Sequence, residues 1–498
     1  MTMALAAGIL QLASFASGRS IRPTTPVTPE RCIAEMNREP AVACLRPMKP
    51  ILSRRQFLHT TTAMALVTPV ILPSSVFGQE APSKRLHVGC IGVGPQGRGV
   101  MGNFLAQRDC RVLAVCDVSK RNLEAAVRQV NGAYKDEAVQ THADYRDLLA
   151  RPDIDAVLIA TPDHWHVPVA VAAARAGKDM YLEKPMGLSV QEDKQLRRAC
   201  QNRQRIFQFG TQQRSSQQFR QACELVRNGR LGKLRNIDVW AAASMPGGST
   251  APIAAPADLA YDFWLGPAPE APYTLGKAYD EDGAWKTWWF NYDYALGFIA
   301  GWGVHPLDIA YWGHPEMMDG PLTIEGPGVF PLQGACNTSV AWNVRFEFAN
   351  RVTMHYRGTR NGAEPIALNS FEDWTKKYGP LVDHGTAFEG TDGWVLVDRT
   401  QIRTSPEKLI EEKFGDQDVR LPRSANHVRN FLDSTKSREP AICPIEDAVQ
   451  ADILCHLSDI ATRVKRKVTW DPEAERFLDD REANQRLRTR VQRSKWMA

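Results

Sequence analysis

The 498-residue chain sets 61 Lys/Arg against 56 Asp/Glu, a formal charge of +5. Residues 1–78 hold the whole excess, eight basic side chains against three acidic, so the remainder is neutral and the totals give no support to a basic surface for nucleic acid or anionic lipid. The roughly 420 residues beyond exceed one ordinary core and point to two domains.

In chain order, residues 1–47 have no periodic pattern and read as an over-extended start before Met48. Residues 48–78 begin "MKPILSRRQFLHTTTAMALV". Lys49, Arg54 and Arg55 precede a moderately apolar stretch from Phe57 to Phe77, and small residues at Val76 and Gly78 suit cleavage after Gly78. That order is a signal peptide, and S-R-R-x-F-L resembles the twin-arginine transport motif. Prolines at 69 and 73 make the stretch a poor spanning helix. The expectation is export to the periplasm, already folded, by the twin-arginine translocase. Such a route suits a chain that must fold around something made in the cytoplasm.

Residues 84–212 read as a dinucleotide-binding domain. In "RLHVGCIGVGPQGRGVMGNFLAQ" a strand runs into Gly92, Gly94 and Gly97 and then into a helix, and "RVLAVCD" ends at Asp117. Gly92 would make the tight turn, Gly94 would let the backbone approach a pyrophosphate, and Gly97 would let helix and strand pack closely. Asp117 stands where a carboxylate meets the adenosine ribose, which favours NAD over NADP. Lys120 and Arg121 beside it soften that preference. "KRNLEAAVRQV", "DIDAVLIATP", "VPVAVAAARAGK", "DMYLEKP", a capping box at Ser189–Glu192 and "RIFQFGTQQR" continue the alternation of helix and strand. Strict alternation predicts a doubly wound parallel sheet with its ligand at the carboxyl strand ends. Gln96, Thr161, Pro162, His166, Glu183 and Lys184 fall there and join the glycines as expected cofactor contacts. His164 and His166 have H-x-H spacing. With no third ligand nearby, both are expected to line the cofactor pocket, with Trp165 sheltering that face, and no metal is expected. Of the ten cysteines, the eight beyond residue 78, at 90, 110, 116, 200, 223, 336, 443 and 455, form no C-x-x-C pair and read as buried thiols.

"GCIGVGPQGRG", "AVCD", "IATPDHWHVP", "YLEKP" and "GWGVHPLDIAYWG", in that order, resemble the Gfo/Idh/MocA family of NAD(P)-dependent oxidoreductases. "WDPEAERFLDDREANQRL" resembles the family's exported branch. The resemblance covers residue 84 onward. It implies a Rossmann half followed by a C-terminal α/β domain with a large, mostly antiparallel open sheet, which covers the nicotinamide and mediates dimer or tetramer contacts. That second domain is expected over residues 213–465, with a tail over 466–498. "IDVWAAA", "VAWNVRFEFA", "RVTMHYRG" and "GWVLVD" read as its strands, and "EDAVQADILCHLSDIATRVKRK" as a late helix.

The same resemblance assigns Lys184 to the proton relay and His305 to the substrate side as second acid or base. Read from the residues alone, Lys184 could instead be a surface lysine paired with Glu183, and His305 a core histidine bonded to a carbonyl. The family's D-x-G-x-H carries an aspartate four residues before the histidine, and this chain has Gly301 there, so the relay is incomplete. Asp308 could reorient His305. Arg214 resembles a substrate-pocket arginine, with a solvated charge at a helix start as the other reading. Trp289 and Tyr292, in "WKTWWFNYDY", suit either a platform for the apolar face of a sugar or a subunit interface. The expected activity is oxidation of a sugar or polyol hydroxyl on tightly held NAD. The alternatives are NAD-dependent, redox-assisted glycoside hydrolysis and sugar binding without catalysis around a structural NAD.

Overall fold

The computed structural model describes residues 85–280, 287–359, 371–490, 492, 493 and 496. The expected leader, the start before it and residue 84 lie outside them.

Six parallel strands form the first sheet: β1 (Leu86–Ile91), β2 (Cys110–Cys116), β3 (Gln140–His142), β4 (Ala156–Ile159), β5 (Asp179–Leu182) and β6 (Phe207–Phe209). Their order, β3-β2-β1-β4-β5-β6, is the doubly wound one, with the switch point between β1 and β4. Every residue of β4 and β5 is buried, because helices cover both faces. These helices are α1 (Pro95–Leu105), α2 (Lys120–Tyr134), α3 (Tyr145–Leu149), α4 (Asp163–Arg175) and α5 (Val190–Arg203). Ser189 caps α5 by accepting from the Glu192 N–H, and the Glu192 carboxylate returns to the Leu188 N–H at 2.7 Å, one residue further back than an ideal box.

Two elements differ from the sequence reading. Helix α4 starts at Asp163, directly after Pro162, so "DHWH" forms its first turn and the helix begins ahead of "VPVAVAAARAGK". "RIFQFGTQQR" is a strand only over Phe207–Phe209. The chain then turns through Gly210, where a side chain would press on Glu183, into a 3-10 turn, Gln212–Ser215.

After α6 (Gln217–Arg227) comes the second domain. Its sheet runs β14-β13-β12-β7-β11-β10-β8-β15-β16, with β9 (Gly328–Val329) also paired to β10. The strands are β7 (Leu234–Ala242), β8 (Leu322–Glu325), β10 (Ala341–Glu347), β11 (Thr353–Thr359), β12 (Gly385–Gly390), β13 (Trp394–Val397), β14 (Ile402–Ser405), β15 (Val468–Asp471) and β16 (Arg476–Phe477). β7 and β11 pair in parallel; the other pairings are antiparallel. Its helices are α7 (Tyr261–Leu265), α8 (Phe298–Gly301), α9 (Val304–Gly313), α10 (Glu372–Tyr378), α11 (His427–Ser437), α12 (Ile445–Val464) and α13 (Arg481–Arg486).

The two domains share one core. Leu182 and Phe209 of the first sheet, Ile237 and Val239 of the second, and most of α12 belong to a single buried cluster. Helix α11 returns to the first domain, where Phe431 packs on Phe104 and Tyr181. The stretch read as a tail from 466 is built into the sheet as β15 and β16, and Trp496 stacks on Phe263. All eight cysteines among the described residues are free and buried.

Candidate functional site

A cleft of about 1240 Å³ opens at the carboxyl ends of the first sheet's strands. The turns after β1, β2, β4 and β5 bring Gly92, Gly94, Gln96, Gly97, Asp117, Thr161, Pro162, His166, Glu183 and Lys184 to its wall. The second domain closes it with Trp288, Trp289, Trp302, His305 and Arg399.

The glycine turn has the shape of a phosphate cradle. Gly92 has φ +79°, and a side chain there would lie 2.5 Å from the Ala160 backbone. A side chain at 97 would collide with the Gly92 carbonyl, whereas one at 94 would find no atom nearer than the Asn122 amide at 3.9 Å. Gly94 therefore leaves open space at the N-terminus of α1, where backbone N–H groups favour an anion. Asp117 accepts from the Val93 and Ser119 N–H groups, both at 2.9 Å, and from the Asn122 amide. Burial lifts it to about 6 against those hydrogen bonds, so it is ionised at neutral pH. Arg121 does not reach back to it. Its guanidinium forks onto Asp258 at 2.6 and 3.1 Å and lies 3.8 Å from the centre of the Tyr279 ring. These residues fit a dinucleotide with a free adenosine ribose.

At the other end, Lys184 follows β5 and precedes a cis peptide to Pro185. Its ammonium donates to the Gly301 carbonyl at 2.8 Å and lies 5.7 Å from the Trp302 ring centre. Burial lowers its pKa, and the carboxyl groups of Glu183 and Asp163 only partly offset that. Glu183, buried beside it, accepts from Gln212 at 3.2 Å. His305 opens α9, is buried, and its Nδ1 has no hydrogen-bond partner, so no carbonyl satisfies that nitrogen. Burial, then the charges of Lys184 and Arg399, hold the imidazole well below its usual pKa and therefore neutral. Where the family motif has its aspartate, the chain offers Lys184 a backbone carbonyl from Gly301.

Several expected substrate contacts are elsewhere. Arg214 and Asp308 do not line the cleft; they bind each other, with both side chains fully buried, and Arg214 also pairs with Asp447. This corrects both sequence readings of Arg214, since its charge is neither solvated nor on the substrate wall, and it leaves Asp308 committed away from His305. Tyr292 is also off the wall, sandwiched between Arg463 and Arg490, each 3.6 Å from its ring centre. Trp289 is on the wall. Of the H-x-H pair, His166 lines the cleft and donates from Nδ1 to the Pro185 carbonyl at 2.6 Å. His164 packs behind it, bonded to the Trp264 carbonyl and against Tyr294. Two residues apart on one helix, the imidazoles cannot face each other.

Sequence reasoning passed over two wall residues. Trp302 lay inside the quoted "GWGVHPLDIA". Arg399 sits in a hairpin turn that carries no motif. Beneath the Lys-Pro-Met-Gly turn, Asp452 accepts from the Met186 and Gly187 N–H groups, and His456 lies between Asp452 and Asp193 at 3.3 and 3.1 Å.

Residues 86–211 match the family model described as oxidoreductase family, NAD-binding Rossmann fold, and residues 403–498 match the C-terminal α/β domain of the same family. The chain belongs to the Gfo/Idh/MocA oxidoreductases. Among curated relatives, glycosyl hydrolase family 109 protein 2 of Shewanella sp. (strain ANA-3) is 38% identical over 130 residues, 25% of this chain and 28% of that one. A glycosyl hydrolase family 109 protein of Saccharopolyspora erythraea is 34% identical over 159 residues, 28% and 35% of the two chains. These matches thus span about a third of those relatives. Two solved structures share the fold with this Gfo/Idh/MocA chain. The aldose-aldose oxidoreductase from Caulobacter crescentus, complexed with glycerol, covers 77% of this chain and 99% of its own at 18% identity and TM-score 0.55. The WlbA dehydrogenase from Bordetella pertussis, in complex with NADH and UDP-GlcNAcA, covers 77% and 98% at 15% and 0.55.

Proposed function

We propose that the chain oxidises a hydroxyl of a sugar or polyol, or reduces the corresponding carbonyl, with a tightly held dinucleotide, after export in folded form to the periplasm. The observation that carries this reading is the pairing, on one cleft, of a glycine cradle with a lysine of lowered pKa and a neutral imidazole. The nicotinamide, when bound, supplies the hydride acceptor. Lys184 takes the hydroxyl proton of a carbinol, a role its lowered pKa favours, and the Gly301 carbonyl receives the ammonium so formed. His305, uncharged, orients the hydroxyl or relays the proton. Trp289 and Trp302 give an apolar wall for a pyranose ring. NAD is favoured over NADP because Asp117 repels a 2′-phosphate and Arg121 is already occupied by Asp258.

Retention is supported by the covering segment. Lys120 donates its N–H to the Asp258 carbonyl at 2.8 Å, Ala260 donates to the Val118 carbonyl at 2.9 Å, and the Tyr279 hydroxyl donates to Ser119 at 2.6 Å. The loop after β2 is thus strapped over the adenosine end. A cofactor that cannot exchange at each turnover suits chemistry that restores it. The second reading, redox-assisted glycoside hydrolysis, is favoured by the names of the glycosyl hydrolase family 109 relatives. Assembly as a dimer or tetramer through the large sheet belongs to the same proposal, and sedimentation velocity tests it.

A panel of glycosides and polyols incubated with purified protein separates the readings. Net NADH or a keto-sugar supports the oxidoreductase, and released aglycone without net NADH supports the hydrolase. Binding without turnover would overturn both.

A further inference from the structure

Arg399 stands at the tip of the hairpin between β13 and β14 and lines the cleft with Lys184 and His305. The tip is built rigidly. Asp398, fully buried, accepts from the Thr400 N–H at 2.7 Å, the Thr400 hydroxyl at 2.6 Å, the Gln401 N–H at 3.1 Å and the Gln401 amide at 2.9 Å. From α6, the Gln218 amide donates to the Arg399 carbonyl at 3.1 Å. The guanidinium carbon lies 5.2 Å from the centre of the Trp302 ring, which His384 also approaches at 5.1 Å.

This guanidinium has no carboxylate partner among the described residues, whereas Arg121, Arg214, Arg230, Arg438 and Arg493 all have one. Asp383 and Glu183 act on it from a distance, without an ion-pair contact, and each is hydrogen-bonded elsewhere. Glu183 accepts from Gln212, and Asp383 pairs with His384 at 2.8 Å. Burial lifts Asp163 to about 8, which leaves it largely uncharged. A guanidinium keeps its proton. Arg399 therefore brings to this end of the cleft a positive charge onto which no carboxylate among the described residues forks. A sugar closing over Arg399 would strip its water, and an unpaired desolvated charge is costly. The planar fork of an arginine fits the two oxygens of a carboxylate.

We propose that Arg399 binds an anionic group on the substrate, so that the sugar is acidic: a uronate, whose carboxylate the fork matches, rather than a neutral hexose. This rests on the reading of the cleft as a sugar site.

Binding is measured first, by calorimetry on protein saturated with NAD, with glucuronate, glucose 6-sulfate and glucose. Glucuronate binding on the order of 10- to 100-fold tighter than glucose is expected, the gain of a charge-assisted hydrogen bond, with the ratio collapsing toward unity in Arg399→Gln and partly kept in Arg399→Lys. Glucose 6-sulfate binding as tightly as glucuronate would keep the anion and remove the carboxylate preference. Equal binding of all three, binding of none, or a ratio unchanged in Arg399→Gln overturns the proposal. The two readings fail separately. Turnover of neutral sugars alone would leave the oxidoreductase standing and remove the acidic substrate, whereas glucuronate held at Arg399 without turnover would do the reverse.

Discussion

An amine that takes up a proton and later returns it works best with a pKa near the working pH. Burial moves Lys184 in that direction, and Gly301 supplies a neutral carbonyl in place of a carboxylate that would move it back. Lys184→Ala is expected to lower kcat by about 10²–10⁴-fold while leaving the dinucleotide bound; full turnover would reject the assignment. Because the base must be deprotonated, the rate should rise with pH through the lowered Lys184 pKa. Gly301 has room for a side chain, its nearest neighbour being Phe298 at 3.7 Å. Gly301→Asp would stabilise the ammonium and shift the acidic limb of the kcat profile to higher pH. An unmoved limb would mean that Lys184 is not the titrating base. At this scale the sequence revealed residues fixed by backbone position, such as Gly92, Asp117 and Lys184. It misdirected Arg214, Asp308 and Tyr292, because residue type does not say which way a side chain points, and charged groups can satisfy one another in the interior.

Elements meet at two junctions with separate consequences. Arg214, on the turn after β6, joins Asp308 of α9 and Asp447 of α12, so one guanidinium pins three elements. Removing a partner leaves a buried charge, and Asp308→Ala should cost about 3–5 kcal/mol in denaturant unfolding. A substrate contact would instead raise KM at unchanged stability. The strap over the β2–α2 turn is weaker. Arg121 is half exposed, so its ion pair is screened, and the stack on Tyr279 contributes about 0.5–1 kcal/mol. Arg121→Ala should speed NADH release a few-fold in stopped-flow fluorescence; an unchanged rate would contradict a retaining role. Periodicity gave β1, β2, β4, β5, α2 and α12 from local pattern alone. It over-extended β6 and started α4 late, because both boundaries depend on contacts with distant parts of the chain, the Glu183 wall and the Trp264 segment.

The whole molecule folds as interdependent halves, with α11 and α12 carrying the second domain's chain back onto the first sheet. A sequence reading in tandem blocks could not show this return, since it is made by buried surfaces rather than motifs. Where the halves meet, His456 sits between Asp193 and Asp452. Burial alone would lower its pKa, but the two carboxylates outweigh burial and raise it to about 10, while burial and Asp452 raise Asp193 to about 7. Both folded values lie above the unfolded ones. The stability from His456 is therefore complete below about pH 6.5 and lost as pH rises through 10, and that from Asp193 fades between about 3.8 and 7. The melting temperature should fall from pH 6 toward 10, less steeply in His456→Asn; parallel curves would remove the triad from the account. The most direct measurement is mass spectrometry of the small molecules released when purified protein is denatured. One equivalent of NAD per chain is the predicted result. Protein that comes out empty and takes up neither NAD nor NADP in equilibrium dialysis would contradict the account.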